Sequence, residues 1–187
     1  MRLFLAFLIG FSCIHAQTVP SNEIGVSGGW SRQVGGYAFE PKQTAPGLGI
    51  SYGHRFHGFI EAETGLFTAI DPTGKQCSEF GCVDIDDRFW WIPFGVRFVA
   101  PLYLGRIEFS GGGGGLYEKY TVGGPVPYGA PAGRAGWGGY FVASAAVSLD
   151  HSRRFWLAFT PRWFLANPPG PRDRWIQLSG EFRFRFR

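Results

Sequence analysis

Apolar and polar residues alternate along most of the chain with the period of two that is typical of β-strands. In the stretch 90–98, for example, Trp90, Ile92, Phe94, Val96 and Phe98 all fall on one face. Eight such segments are present, and together they predict an all-β chain of eight short strands. The segments are residues 23–31, 48–55, 59–70, 88–99, 102–117, 137–149, 155–166 and 175–186.

The connections between these segments alternate strictly between long and short. The long connections are 32–47, 71–87, 118–136 and 167–174, and the short ones are 56–58, 100–101 and 150–154. An antiparallel up-and-down meander gives this pattern when one rim of the sheet carries loops and the other carries only turns, as in transmembrane β-barrels. The five-glycine stretch 111–115 fits either a bent strand or the start of a loop.

Composition narrows the class further. The 187 residues include 29 glycines, 18% aromatic residues and 17% charged residues. So many aromatic residues argue against disorder, and so many glycines argue against a helical bundle. A mean hydropathy of −0.03 excludes a membrane protein built from several helices.

The first 16 residues have the features of a secretory signal peptide. Arg2 supplies the positive charge, residues 3–14 are almost wholly apolar, and Ala16 is a small residue at a plausible cleavage point. We therefore predict a leader at 1–16 and a single barrel domain at 17–187. A lipoprotein leader ending at Cys13 is the alternative, although Gly10 stands where such leaders carry leucine.

Removal of the leader leaves two cysteines, Cys77 and Cys82. An even number of cysteines in an exported protein predicts a disulfide, here within the second long loop. Two free thiols are the alternative. A metal site is not expected, because no further ligands with zinc-like spacing lie nearby.

The charged residues of the strands fall opposite the apolar faces and have balanced signs, which suits a barrel with a charged lumen. This predicted lumen network is Glu61, Glu63, Arg97, Arg106, Glu108, Arg162, Glu181, Arg183 and Arg185. Aromatic residues mark the strand ends, as interfacial belts do. The predicted belts are Trp30, Trp90, Trp137, Trp163 and Trp175 at the long-loop rim and Phe56, Phe98, Tyr103 and Phe155 at the short-turn rim.

These faces predict an eight-stranded transmembrane barrel with four long outer loops and three short periplasmic turns. With an even number of strands, both termini lie on the periplasmic side. A soluble ligand-binding barrel in the periplasm is the alternative, because charges opposite an apolar stripe also suit a water-facing exterior.

The sequence resembles the small eight-stranded outer-membrane barrels of Gram-negative bacteria. These form the outer membrane protein β-barrel domain group, which includes the membrane domain of outer membrane protein A. The local match is the last strand, in which Gly180 is followed by Phe182, Phe184 and Phe186. This stretch is similar to the signal read by the barrel-assembly machinery, except that Arg187 follows the last phenylalanine. The resemblance implies a monomer in the bacterial outer membrane that meets periplasmic chaperones and this machinery during export.

The sequence indicates no catalytic site and no cofactor. Some barrels of this size act on lipid A with a histidine, a serine and an acid near the outer rim, whereas His54, His57 and His151 all fall at the short-turn end. The net charge of +4 is scattered, which excludes a nucleic-acid surface. Basic residues in or beside the long loops could meet lipopolysaccharide phosphates or serve loop solubility: Arg32, Lys42, Lys75, Arg88, Arg134, Arg172 and Arg174.

We therefore expect a non-enzymatic, porin-like outer-membrane barrel with an envelope-structural or surface-interaction role. A narrow channel or transporter for small or apolar solutes is the second hypothesis. The soluble periplasmic barrel is the third. Since an eight-stranded barrel is roughly filled by its own side chains, a wide pore is not expected.

Overall fold

The computed structural model describes residues 22–35, 43–70, 73–78, 81–123, 133–166 and 174–187. For residues 57, 73–78, 81–87, 122 and 123 only the backbone is described. The predicted leader and its cleavage point lie outside these residues and stay predictions. Within the described ranges, no helix is long and apolar enough to cross a membrane.

The described residues form nine strands and one 3₁₀ turn at Tyr103–Gly105. The strands are β1 Asn22–Gln33, β2 Thr44–His57, β3 Ile60–Ala69, β4 Thr73–Ser78, β5 Gly81–Leu102, β6 Ile107–Gly123, β7 Gly133–Ser148, β8 Phe155–Ala166 and β9 Arg174–Phe186.

Eight of these strands close into an antiparallel barrel. Each pairs with the next along the chain, β3 pairs directly with β5, and β1 pairs with β9 from Asn22↔Phe186 to Gln33↔Trp175. Closure leaves no unpaired edge in the cycle. The prediction of an all-β, eight-stranded up-and-down barrel is therefore confirmed.

The ninth strand, β4, lies outside this cycle. It pairs only with the first part of β5, from Thr73↔Asp86 to Ser78↔Gly81, and so forms a hairpin that projects beyond β3. The stretch 71–87, which the sequence suggested was a loop, is therefore mostly sheet. The Asp, Gly and Cys residues of this hairpin gave no period-two signal, because neither of its faces is consistently apolar.

The predicted turn at 100–101 is wrong. β5 continues to Leu102, with Pro101 paired opposite Glu108, and the turn lies at 103–106. A proline is tolerated here because the pairing of β3 with β5 ends at Phe98, so Pro101 needs to donate no hydrogen bond on that side. The glycines 111–115 belong to β6 and pair with residues of both β5 and β7.

Side chains alternate between the outside and the lumen along every strand of the cycle. The outward positions are apolar and exposed, for example Val26, Ile50, Phe94, Phe141 and Phe159. Many inward positions are glycines, and their missing side chains make room for large residues from other strands. A Cβ at Gly53 would overlap Glu61, and one at Gly49 or Gly65 would overlap the ring of Phe67. The inward glycines therefore leave room in a narrow lumen for these large side chains.

We predict that Gly49→Ala destabilises the barrel by about 1–3 kcal/mol, because the new methyl group would displace the buried Phe67 ring. The matched control is Gly28→Ala on the outer face of β1, where the nearest neighbour of an added Cβ is Leu48 Cδ2 at 3.7 Å. Urea unfolding of the protein folded into lipid vesicles measures both. Equal stability of the two variants would contradict the steric role of the inward glycines.

Candidate functional site: the filled lumen

Ten charged side chains are buried inside the half of the barrel nearer the short turns. Five are arginines and five are glutamates, so their charges balance. They are Glu23, Arg55, Glu61, Glu63, Arg97, Glu108, Arg162, Glu181, Arg183 and Arg185. They occupy inward positions on seven strands, which bring them together in the same part of the lumen. The strands that each supply at least one are β1, β2, β3, β5, β6, β8 and β9.

The ion pairs form one continuous network. Arg97 contacts three carboxylates, those of Glu61, Glu63 at 2.9 Å and Glu23 at 3.0 Å. Arg185 joins Glu23 at 2.6 Å to Glu108 at 2.6 Å. Because each arginine meets at least two carboxylates across the barrel, the network ties strands that are not neighbours in the sheet.

Three further arginines complete the network. Arg55 bridges Glu61 at 3.1 Å and Glu108 at 3.2 Å. Arg162 and Arg183 both reach Glu181, at 3.1 and 3.0 Å. Ser51 and Thr160 also donate to Glu181, at 2.6 and 2.9 Å. Glu181 therefore accepts from four side chains on β2, β8 and β9.

An aromatic layer fills the lumen on the long-loop side of the charges. Trp91 and Phe164 stack with ring centroids 4.7 Å apart and planes 9° from parallel. Phe89 packs on Trp175 at 4.6 Å, and the Trp91 Nε1 donates to Glu118 Oε2 at 2.7 Å. Rings of this size, fully buried, leave the outer half of the lumen packed by side chains.

Cation–π contacts border the charged layer on both sides. The guanidinium of Arg162 lies 4.3 Å from the ring centroid of Phe67 in the aromatic layer. At the other end, the guanidinium of Arg185 lies 4.0 Å from the buried ring of Trp156. The face of an aromatic ring attracts a cation, so each contact partly compensates the buried guanidinium for its lost hydration.

The structure brings together eight of the nine residues predicted for the lumen network. The exception is Arg106, which lies in the 103–106 turn, exposed, with its Nη2 2.6 Å from His151 Nδ1. With the predicted turn at 100–101, Arg106 falls on a strand, whereas the observed turn at 103–106 includes it. Sequence reasoning missed Glu23 and Arg55, although the alternation of Ile24, Val26 and Tyr52 puts both on the inward face.

Eight of the nine predicted belt residues are exposed. The Trp side chains of the long-loop rim include Trp137, which is 65% exposed, and Trp30. The prediction for Trp175 is wrong, because its side chain is fully buried in the aromatic layer. Leu178 lies three residues further along the same strand and faces outward. An odd separation puts the two side chains on opposite faces, so the period of two already places Trp175 inside. Tyr103 is exposed but lies in the turn rather than on a strand.

The polar residues of the 149–154 turn do not form a hydrolase relay. Ser152 Oγ donates directly to Asp150, whereas His151 lies against Arg106. Slight burial would raise the pKa of Asp150, but hydrogen bonds from Ser152 and from the backbone of Phe155 and Arg154 outweigh it and hold the pKa below its ordinary value. The carboxylate therefore stabilises its own turn.

The register of the projecting hairpin sets Cys77 directly opposite Cys82. Opposed positions on antiparallel strands suit a short covalent link. The disulfide stays a prediction, as do the assembly signal of Gly180, Phe182, Phe184 and Phe186 and its recognition during export.

No protein-family model and no curated protein matches the sequence. Solved structures do match. Neisserial surface protein A has a TM-score of 0.67 at 10% identity, over 88% of this chain and 97% of that one. OprG from Pseudomonas aeruginosa has a TM-score of 0.60 at 10% identity, over 90% and 99%. Ail, the attachment invasion locus protein of Yersinia pestis, solved with the heparin analogue sucrose octasulfate, has a TM-score of 0.55 at 13% identity, over 88% and 99%.

We predict that Glu181→Gln destabilises the folded barrel by about 3–5 kcal/mol, because it leaves Arg162 and Arg183 buried with one carboxylate fewer. The double variant Glu181→Gln with Arg183→Met should recover part of that loss, since one cation is removed with its anion. Urea unfolding in lipid vesicles measures both. A single variant as stable as the unmodified protein would show that the pairs contribute nothing.

Proposed function

Since the chain has the fold of the small eight-stranded outer-membrane barrels, we propose that it resides in the bacterial outer membrane. There it would be a closed, non-enzymatic barrel with an envelope-structural or surface-interaction role. The observation that carries this proposal is the lumen, which is filled from the aromatic layer to Trp156 by buried side chains.

The exterior supports residence in lipid. Large apolar side chains are exposed around the outer face, including Trp137, Phe98 and Phe141, each more than half exposed. A band of this extent would be costly in water, whereas in a bilayer it meets acyl chains. The same exposure argues against the soluble periplasmic barrel, whose apolar side chains would lie inside.

The lumen supports a closed state. A passing ion or solute would have to displace arginines that each contact two or more carboxylates, and then separate the stacked Trp91 and Phe164 rings. Removing one member of a buried ion pair costs several kcal/mol. One feature favours the alternative of apolar transport, namely the aromatic lining of the outer half, but those rings are packed against one another.

The outer rim carries a second candidate feature, four basic residues on outward positions. Arg32, Arg88, Lys119 and Arg174 are all exposed. Three of them lie two residues from an outward aromatic residue on the same strand: Arg32 from Trp30, Arg88 from Trp90 and Lys119 from Tyr117. In the described part of the chain they engage in no ion pair. The planar guanidinium of arginine can donate two parallel hydrogen bonds to one phosphate. These residues at the long-loop rim therefore suit the phosphates of lipopolysaccharide.

The four basic residues form two pairs. Arg32 lies opposite Ile176, two positions from Arg174 on the adjacent strand, and Lys119 lies opposite Trp90, two positions from Arg88. The β9–β1 seam and the β5–β6 seam are four strands apart in a cycle of eight, and so on opposite sides. Of the other basic loop residues, Lys42 and Arg172 lie outside the described residues, and Arg134 stacks on Tyr120 at 4.9 Å.

We predict that the purified barrel gives no unitary conductance steps in planar lipid bilayers, because the lumen is filled. A known open porin, tested in the same chamber, verifies that insertion is detectable. Heat-modifiable mobility on gels verifies that the sample is folded. Regular conductance steps from the folded protein would overturn the closed-lumen proposal and favour the channel hypothesis.

We also predict that Arg32→Gln with Arg174→Gln weakens retention of purified lipopolysaccharide about tenfold, the equivalent of ~1.4 kcal/mol. The matched control removes two arginines from the other rim, Arg106→Gln with Arg153→Asn. Native mass spectrometry of the folded barrel after incubation with lipopolysaccharide gives the bound fraction. Equal losses in the two variants would argue for a general charge effect rather than a site at the outer rim.

A further inference from the structure

Backbone strain is concentrated at one place on the short-turn rim. Among the described residues, the non-glycine residues with positive φ are Tyr103 at 47°, Leu104 at 56° and Arg153 at 56°. All three lie in two turns, 103–106 and 149–154, which define the surface called here the double turn. Residues in this conformation cost free energy and persist only where the surroundings hold them, which often marks a functional surface.

The two turns hold each other through specific contacts. Ser148 N donates to Arg106 O at 2.8 Å, and Arg106 Nη2 lies 2.6 Å from His151 Nδ1. The guanidinium of Arg153 lies over Gly105, since a Cβ added to Gly105 would be 2.8 Å from Arg153 Nη1. Glycine at 105, with φ 72°, therefore allows the second turn to fold against the first.

The double turn has an excess of positive charge. Arg106, Arg153 and Arg154 contribute three guanidinium groups, and Asp150 contributes one carboxylate. That carboxylate accepts from Ser152 Oγ and from the backbone N–H groups of Arg154 at 3.2 Å and Phe155 at 2.9 Å. The acid is thus engaged within its own turn. Of the three arginines, Arg106 and Arg154 are exposed and Arg153 is half-buried.

The double turn is also unusually apolar for a solvent-facing turn. Tyr103 is 75% exposed and Leu104 is 86% exposed. They follow Leu102, which pairs with Ile107, and Leu102, Ile107 and Leu149 are exposed at the foot of the two turns. The apolar band of the barrel thus continues without a break to the residues that carry the cations.

We infer that the double turn binds the phosphate of an anionic phospholipid headgroup, with Arg106 and Arg153 meeting the phosphate and Tyr103 and Leu104 contacting the lipid below it. Adjacent apolar and cationic side chains match a molecule that is apolar at one end and anionic at the other. The strained backbone holds both kinds of side chain at the same rim. A phospholipid, rather than lipopolysaccharide, is the class expected here because the short turns face the opposite leaflet from the outer loops.

The inference rests on the proposed residence in the outer membrane, and the two are tested separately. Co-flotation with phosphatidylcholine vesicles and heat-modifiable mobility report membrane residence without reference to headgroup. Native mass spectrometry of the folded barrel, titrated with dioleoylphosphatidylglycerol or dioleoylphosphatidylcholine, reports headgroup preference. The test variant is Arg106→Gln with Arg153→Asn, since asparagine tolerates positive φ. The matched control is Lys42→Gln with Arg172→Gln, which removes two cations from the predicted long connections and from neither proposed phosphate site.

The expected result is tighter binding of phosphatidylglycerol than of phosphatidylcholine, and a loss of about tenfold in that binding for the test variant only. The control variant should keep its affinity, and all variants should stay folded by heat-modifiable mobility. Equal binding of the two lipids, or an equal loss in both variants, would overturn the inference. Failure of the unmodified protein to float with vesicles would overturn the proposed function instead.

Discussion

Ten charged side chains enclosed in the short-turn half of a narrow barrel set the conditions for the rest of this structure. Buried charges are tolerated only when each is paired and hydrogen-bonded, so every strand that supplies an arginine must lie in register with strands that supply its carboxylates. Arg97, for instance, meets glutamates from both β1 and β3. A slip of one residue in any pairing would move the charges of that strand to the outer face.

The sizes of the inward side chains follow from the same constraint. An eight-stranded barrel has little room, and five guanidinium groups occupy much of it. Glycines at inward positions such as 25, 47 and 53 provide the space, because a Cβ at any of them would overlap a lumen side chain. The aromatic layer then fills the outer half. Since the lumen is filled, the two rims are the surfaces that remain for ligands. At both rims, cationic side chains lie next to exposed apolar or aromatic side chains.

The two rims differ in the way they present those cations. At the long-loop rim, Arg32 and Lys119 stand on regular strands, so only the period of two controls their direction. At the short-turn rim, Arg106 and Arg153 depend on positive-φ residues and on one glycine. The proposed phosphate contacts therefore rest on sheet register at one membrane face and on turn conformation at the other.

The sequence by itself determined the eight strands of the cycle, their up-and-down order and the direction of most side chains, because hydrophobic alternation records which face meets which environment. It also placed Glu61, Arg97 and Glu181 in one lumen. It could not show the hairpin at Cys77 and Cys82, which lacks an apolar face, or the turn after Leu102, because Pro101 is as acceptable in an edge position as in a turn. Only the tertiary structure decided that the inward Trp175 packs against Phe89 and Trp91, that the inward Glu23 and Arg55 join the network, and that two turns far apart in sequence meet. Those results depend on which strands become neighbours across the lumen, and local periodicity carries no information about that.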